Sequence, residues 1–416
     1  MVASKVEGPL SGVRILDLTH VWAGPLAVRT LADLGATVVK VERPFARGTH
    51  QAVATPVGGW LGNPEERPHW NRNGVYVKLQ RNRFGVALDY KTDAGRAVLL
   101  ELVAQADVVV ENYSANAMAG LGLSYTELSA ANSKIIYVTM PGYGSTGSYS
   151  DRVAFGTVIE SLSALTYMTG YSPTELYNSA QALPDAMGGM HTVAAIAAAL
   201  AERERTGTGM RVELSLHESG VNISGPWLVA QQIDPQKPEA MGNRHPAMAP
   251  HGVYACLGDD QWLALACEDD SQWASLLNVL GEPSSLPKNW DLAARQQNAH
   301  AIDTTISDWT SQRTKADATD ELQNAGVPAG PVNNAPEMLA DEQLNTRGFY
   351  DFRDRFDISF QGDPVHRNQS GVDNWLPSPH MGEHNAEILG SWLDYSDEQI
   401  NALTSSGVLV TEPPIE

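Results

Sequence analysis

The first 140 residues alternate between short apolar runs and amphipathic segments, and this alternation constrains the fold more than any other feature of the sequence. The apolar runs have the length of buried strands, and helix-like patterns lie between them. Such alternation predicts a parallel sheet covered by helices on both faces. With right-handed crossovers the expected fold class is α/β, a doubly wound, Rossmann-like domain. The predicted strands are VRILDL (13–18), TVVKVE (37–42), DVVVEN (107–112) and KIIYVTM (134–140).

The sequence pattern changes near residue 240. HGVYACLGDDQWLALAC (251–267) is typical of two strands joined by a polar turn, and helical segments follow it. We therefore expect three parts: the first part of a large domain over 1–234, a smaller α+β domain over 235–335, and a return segment over 336–416 that completes the large domain.

The charge of the chain excludes some classes of partner. A formal net charge of −21 repels polyanions, which disfavours nucleic acid and anionic membrane surfaces as partners. No run approaches the roughly 20 apolar residues of a membrane span. The two cysteines imply no disulfide framework, and the N-terminal segment lacks a signal-peptide apolar region, so we expect a cytoplasmic protein.

One basic segment stands out against this acidic background. RPHWNRNGVYVKLQRNRFGVALD (67–89) contains no acid before its last residue. Its cations could hold phosphate groups by charge-assisted hydrogen bonds, or they could be scattered charges on a solvated loop. The cations of this segment are Arg67, Arg72, Lys78, Arg81 and Arg83.

Two further motifs are weak. The turn THVWAGP after the first strand carries only Gly24, whereas a dinucleotide fingerprint needs three glycines, so NAD binding is not expected. HMGEH places His380 and His384 at a spacing that binds zinc on a helix. Pro379 and Gly382 argue against a helix there, so no metal is expected.

Asp185 stands just before an apolar, Ala-rich helix predicted near 187–205. It could be an N-cap that accepts backbone N–H groups. The same helix end would keep a carboxylate ionised, and an ionised carboxylate can act as a nucleophile. Gly188 and Gly189 would let a ligand or another chain segment approach the backbone closely.

The sequence resembles the class III CoA-transferases, the family of formyl-CoA transferase and carnitine-CoA transferase. The resemblance extends over nearly the whole chain and implies a Rossmann-like large domain built from both chain ends, a small inserted domain, and an interlocked homodimer. The similar segments, in order, are LSGVRILDLTHVWAGPLAVRTLADLGATVVKVERP, LQRNRFGVALDYKTDAGRAVLLELVAQADVVVENY, LGLSYTELSAANSKIIYVTMPGYGSTGSY, ALAERERTGTGMRVELSL, HGVYACLGDDQWLALAC, GVPAGPV and MGEHNAEIL.

The resemblance also implies chemistry. The family's catalytic aspartate falls on Asp185, whose carboxylate would form an anhydride and then an aspartyl-CoA thioester. The substrates would be an acyl-CoA and a carboxylic acid, with coenzyme A as the carried group and no metal. The residues that match the family's CoA contacts are Val21, Ala23, Arg43, Leu79, Arg83, Asn112 and Tyr113.

Some positions depart from the family pattern. Trp22 stands where formyl-CoA transferase has Gln, and Gly120 where a basic residue is usual, which favours an acyl group larger and less polar than oxalate or formate. We expect Trp22 and Phe155 to lie in the substrate pocket. Phe155 takes the place of the histidine that α-methylacyl-CoA racemases use, and Phe cannot carry a proton. Racemase-like activity and CoA binding without catalysis remain alternatives.

Overall fold

The computed structural model of the protein describes residues 6–44, 59, 61, 71–172, 174–179, 181–235, 240–367 and 374–413. Six strands in this part of the chain form a parallel sheet: β1 (Arg14–Asp17), β2 (Thr37–Glu42), β3 (Arg83–Ala87), β4 (Val108–Glu111), β5 (Ile136–Thr139) and β6 (Met210–Glu213). Their order in the sheet is β3-β2-β1-β4-β5-β6, which confirms the predicted α/β fold class.

Helices cover both faces of this sheet, because alternate strand residues point to opposite sides and both sides are apolar. The helices of this unit are α1 (Ala23–Asp33), α2 (Gly74–Leu79), α3 (Asp93–Ala104), α4 (Ala117–Gly120), α5 (Tyr125–Ala131), α6 (Gly156–Leu162), α8 (Leu183–Thr206), α9 (Leu216–Ile223), α10 (Gly225–Ile233), α16 (Glu342–Thr346), α17 (Asn385–Leu393) and α18 (Asp397–Ser405). Val39 and Val41 of β2 belong to one buried cluster, and Val38 of the same strand belongs to another. Residues of α3, α17 and α18 pack in the first cluster, and residues of α1, α6, α8 and α9 pack in the second.

The chain divides into two compact units. The first comprises 1–165, 178–234 and 342–416, and it contains the parallel sheet; the second comprises 166–177 and 235–341. The domain boundaries expected from the sequence stay predictions.

The second unit has its own antiparallel sheet and its own core. Its elements are β7 (His251–Ala255), β8 (Trp262–Ala266), β9 (Ala329–Pro331), α11 (Asp270–Val279), α12 (Leu292–Gln297), α13 (Ala299–Thr310), α14 (Lys315–Asn324) and α15 (Ala335–Ala340); α7 (Leu165–Met168) spans the boundary at 165. Strand β7 pairs with β8 and β8 with β9, both antiparallel, so 251–267 forms the predicted hairpin. Trp273 and Ile306 are fully buried beside this sheet.

Strand β3 lies inside the basic segment and was not expected as a strand. Its first residue, Arg83, is fully buried and donates to the Oδ2 atom of Asp17 at 2.5 Å. Lys40 lies 3.6 Å from the other oxygen of the same carboxylate. A charged residue is compatible with a buried strand only when it is paired in this way, and the partner lies on another strand.

The helices of the described residues were compared with the length and hydropathy of a membrane-spanning helix. None of them is both long and apolar enough to cross a membrane.

Candidate active site

A cavity of about 250 Å3 lies at the carboxyl ends of the parallel strands. The strand order reverses between β1 and β4, and ligands of open α/β sheets bind beside such a reversal. The loops that follow β1, β4 and β5 form much of the wall. The lining residues are Val21, Trp22, Ala23, Asn112, Tyr113, Ser114, Met140, Gly142, Arg152, Val153, Ala154, Phe155, Gly156, Asp185 and Leu216.

Asn112 connects the loops that follow β1 and β4. Its Oδ1 atom accepts from the backbone N–H of His20 at 2.7 Å, and its Nδ2 atom donates to the His20 carbonyl at 2.8 Å. Val21, the next residue, has a φ of 63° and is about half exposed at the cavity. Such a left-handed conformation is costly for a β-branched residue, and it persists only where neighbouring contacts fix the loop.

Tyr113 extends this connection toward β3. Its hydroxyl forms a short hydrogen bond with His20 Nε2 and lies 2.7 Å from the hydroxyl of Tyr90. Burial raises the pKa of Tyr113 to about 12, so its hydroxyl stays protonated near neutral pH. The Arg43 guanidinium lies 5.7 Å from the Tyr90 ring centre and 3.8 Å from Asp89. Arg43 is thus linked to the cavity wall through two tyrosines without lining the cavity itself.

The structure corrects the expected local setting of Asp185. The helix begins at Leu183, with Ala182 as the N-cap in a left-handed conformation (φ 44°), and Asp185 is its third residue. The backbone N–H of Asp185 donates to the Ala182 carbonyl at 2.9 Å. The helix starts earlier than predicted because Pro184 fits its first turn, where no intrahelical N–H bond is required.

The two glycines after Asp185 permit close packing of chain segments. A Cβ on Gly189 would lie 2.9 Å from the Ala23 carbonyl oxygen, and one on Gly188 would lie 2.4 Å from a methyl group of Leu216. Helices α1 and α9 therefore approach α8 closely at these positions. This places the first turn of α8 beside the cavity.

Gly156 approaches the Asp185 carboxylate closely. A Cβ built on Gly156 would lie 2.7 Å from Asp185 Oδ2 and 2.6 Å from the Ala182 Cβ. Only a residue without a side chain fits here, because real Cβ atoms do not come this close. The first turn of α6 and the first turn of α8 are thus held in contact around the carboxylate.

The environment of Asp185 changes its acidity. Desolvation in the cavity raises the pKa of Asp185 to about 6. Within the described part of the chain, no cation lies within 4.0 Å of its carboxylate. The sequence led us to expect an ionised carboxylate, and a carboxyl with this pKa is still mostly ionised at neutral pH. It is a poorly solvated anion, the state in which a carboxylate is most reactive.

Most of the residues expected in the site line this one cavity. Val21, Trp22, Ala23, Asn112, Tyr113, Phe155 and Asp185 do so. Leu79 and Arg83 do not, because both are buried in the body of the unit. Arg83 donates to Asp17, Gln80 and the Pro25 carbonyl. Their assignment to CoA stays a prediction.

Two cations of the basic segment, Arg81 and Arg83, are buried and paired with acids. Arg81 is 1% exposed, its guanidinium donates to both oxygens of Asp33, and it stacks 4.1 Å from the Trp375 ring. Lys78 is partly buried, and desolvation together with Arg29 lowers the pKa of its ammonium group. Arg67 lies outside the described residues. Binding of phosphates by this segment as a whole stays a hypothesis.

Several lining residues were not expected from the sequence, chiefly Arg152, Ala154 and Gly156. They follow β5 in GYGSTGSYSDRVAFG, a segment from which the sequence analysis named only Phe155 for the site. Their position directly after a buried strand is the signal that could have found them, since the carboxyl ends of parallel strands meet at one edge.

The HMGEH segment serves the packing of the first unit. His384 Nδ1 accepts from the backbone N–H of Gly85 in β3 at 3.1 Å, and Glu383 pairs with Arg355 at 3.1 Å. Across the residues described, no group of three or more His, Cys, Asp or Glu side chains is arranged to hold a metal ion.

The fold and the cavity define an α/β protein with a ligand site at its topological switch point. The sequence model of CoA-transferase family III matches residues 10–385. The chain therefore belongs to CoA-transferase family III, as expected from its sequence, and it is an enzyme of that class.

Two named relatives and one solved structure are similar to this chain over most of their length. The chain is 31% identical to the succinate–glutarate CoA-transferase of Agrobacterium fabrum, with 92% of this chain and 95% of the relative covered. It is 29% identical to the human succinyl-CoA:glutarate CoA-transferase, with 96% and 90% covered. The crystal structure of a CAIB/BAIF family protein from Brucella suis superposes with a TM-score of 0.83 at 29% identity, covering 92% of this chain and 99% of that one.

Proposed function

We propose that this enzyme moves CoA from an acyl-CoA donor to a carboxylic-acid acceptor through covalent intermediates on Asp185. One observation carries the proposal: Asp185 faces the switch-point cavity as a desolvated carboxylate with a pKa raised to about 6. Desolvation strengthens an anionic nucleophile, and a covalent relay conserves the energy of the thioester. Val21, Ala23, Asn112 and Tyr113 would contact CoA, and Trp22 and Phe155 would contact the acyl group.

The first half of the reaction transfers CoA to the enzyme. A carboxylate oxygen of Asp185 attacks the thioester carbonyl carbon. The C–S bond breaks, CoA departs as a thiolate, and a mixed anhydride between Asp185 and the donor acid remains. The thiolate then attacks the Asp185 carbonyl carbon. The donor acid departs as a carboxylate with the bridging oxygen, and an aspartyl-CoA thioester remains. Each attack produces an oxyanion that backbone N–H groups would stabilise.

The second half reverses these steps with the acceptor. The acceptor carboxylate attacks the aspartyl-CoA carbonyl carbon, and thiolate leaves. The thiolate then attacks the acceptor carbonyl carbon, which releases the new acyl-CoA and restores the Asp185 carboxylate. In each cycle one oxygen atom passes from the acceptor to Asp185 and another from Asp185 to the donor acid.

This oxygen transfer provides the test. Turnover of succinyl-CoA with an acceptor whose carboxylate oxygens are isotopically heavy should place one heavy oxygen in each released donor acid at steady state. Heavy oxygen should also appear in the peptide that contains Asp185. Transfer without label in the donor acid would contradict the proposal.

The alternatives give other results when the same incubation is run in deuterated water. A racemase would incorporate deuterium from solvent at the acyl α-carbon without moving CoA, and a CoA-binding protein without catalysis would do neither. The cavity gives a racemase little support, because Phe155 carries no proton and Tyr113 stays protonated near neutral pH.

We further propose a homodimer, interlocked as in the family, with 235–335 as the inserted domain and the cytoplasm as the compartment. Helix α10 supports a second copy, since none of its residues is buried although its sequence is apolar. Trp227, Val229 and Ile233 are 47%, 56% and 80% exposed. Large apolar patches of this kind are typical of protein interfaces. Light scattering should give twice the chain mass, and a monomer at micromolar concentration would contradict this.

A further inference from the structure

Arg152 is the cationic side chain in the wall of the Asp185 cavity. We propose that Arg152 binds the second carboxylate of a dicarboxylic acyl group, so that the enzyme selects diacids over monoacids of the same length. This inference rests on the proposed CoA transfer and names the substrate class of that site.

The Arg152 guanidinium is held in place but remains available. Its Cζ atom lies 3.8 Å from the centre of the Tyr149 ring, a cation–π contact that restrains the group. Tyr149 in turn packs edge-on against Tyr143 at 5.8 Å. The neighbouring acid, Asp151, accepts from Asn116 at 3.2 Å. No carboxylate of the described residues lies within 4.0 Å of the guanidinium.

Arg152 and Asp185 line the same cavity without forming an ion pair, so more than 4.0 Å separates their charged atoms. Apolar groups of Val153, Ala154 and Phe155 continue the chain from Arg152 along the wall. In this proposal one carboxyl carbon of the diacid lies at Asp185 and its second carboxylate at Arg152, the two charged residues of this wall. In a chain of net charge −21, this cation would offset the repulsion of a second negative charge on the substrate.

The test compares donors of equal length. The rate of CoA release into hydroxylamine is measured with succinyl-CoA and butyryl-CoA, and with glutaryl-CoA and valeryl-CoA, for the wild type, Arg152→Ala and Arg152→Lys. A bidentate, charge-assisted contact contributes about 10- to 100-fold in binding. We therefore expect wild type to favour the diacyl donor of a pair, and Arg152→Ala to lower the ratio of kcat/KM values by at least about tenfold. The ratio for Arg152→Lys should lie between those of the wild type and Arg152→Ala, because lysine keeps the positive charge but cannot form the bidentate hydrogen bonds of a guanidinium group.

Arg205→Ala is the matched control. Arg205 is an exposed residue near the end of α8 whose removal changes the net charge equally, and the donor ratio should stay constant. A wild-type enzyme that does not favour diacyl donors would overturn the inference. So would an Arg152→Ala variant that loses activity toward both donors of a pair equally, since Arg152 would then bind CoA itself. If wild type releases CoA from none of the donors, the proposed function fails instead.

Discussion

Two aspartates of the first unit, the fully buried Asp17 and the partly buried Asp185, have opposite environments. Burial by itself raises the pKa of Asp17, but Lys40, Arg83 and hydrogen bonds from Thr19 lower it below its usual value. Asp185 has no such partners among the described residues, and desolvation raises its pKa to about 6. Asp17 connects β1 to β2 and β3 through Lys40 and Arg83, whereas Asp185 lines the cavity. The partners of each carboxylate, together with its desolvation, decide whether its pKa lies below or above the usual value.

The largest expected effect is on activity. Asp185→Asn keeps the size of the side chain and removes the nucleophile, so CoA transfer should fall by at least about 10,000-fold. The variant should still bind CoA, which calorimetry would measure. Residual transfer at a few per cent of the wild-type rate, reproduced by Asp185→Ala, would place the reaction elsewhere.

The corresponding change at Asp17 should affect folding. Asp17→Asn leaves the buried cations of Lys40 and Arg83 without a counter-charge, which should lower the free energy of unfolding by about 3–5 kcal/mol. Urea denaturation followed by circular dichroism measures it. Asp93→Asn, which removes an exposed partner of Arg96, is the control and should change little. Equal effects at Asp17 and Asp93 would show that the buried cluster is not structural.

A substitution at Gly156 tests how strongly the rate depends on the position of the Asp185 carboxylate. Gly156→Ala places a Cβ 2.7 Å from the carboxylate oxygen, so the two first turns must move apart. A displacement near 1 Å at a reacting group costs roughly 100-fold in rate, and kcat should fall by about this factor. Gly120→Ala in α4 is the control, because a Cβ there meets nothing within 4 Å. An unchanged kcat for Gly156→Ala would mean that this contact does not position the carboxylate.

The raised pKa of Asp185 should also lower the free energy of unfolding at neutral pH. Its pKa rises from 3.8 to about 6 on folding, so the folded state binds the proton more tightly. The free energy of unfolding therefore falls as pH rises from about 4 to about 6, and the loss persists above that range. Asp185→Asn should gain up to about 3 kcal/mol over wild type at about pH 8 and nothing below about pH 4. A difference between the two proteins that does not change with pH would contradict the raised pKa.

The smallest effect concerns the pH dependence of the rate. Only the ionised carboxylate attacks, so kcat/KM should fall on the acid side with a midpoint near pH 6, the pKa of Asp185. Stopped assays with succinyl-CoA over a range of buffers would measure the profile. A rate still constant well below that midpoint would assign the attack to another group.

Local sequence patterns predicted much of the sheet, because apolar runs such as VRILDL and TVVKVE form strands wherever both faces are covered. Strand β3 escaped prediction because Arg83 made its segment look solvated. The counter-charge that permits its burial, Asp17, lies 66 residues away in sequence. The resemblance to the family singled out Asp185, but its acidity depends on walls supplied by three separate loops, which no local pattern reveals.

The most direct test of the central claim is capture of the covalent intermediate. The enzyme is incubated with acyl-CoA and hydroxylamine without acceptor, digested, and examined by mass spectrometry. We predict a hydroxamate on Asp185 in the wild type, its formation dependent on acyl-CoA, and none on Asp17. Release of CoA from the wild type with the hydroxamate on a different residue, or with neither Asp185 nor the donor acyl group converted to a hydroxamate, would contradict this mechanism.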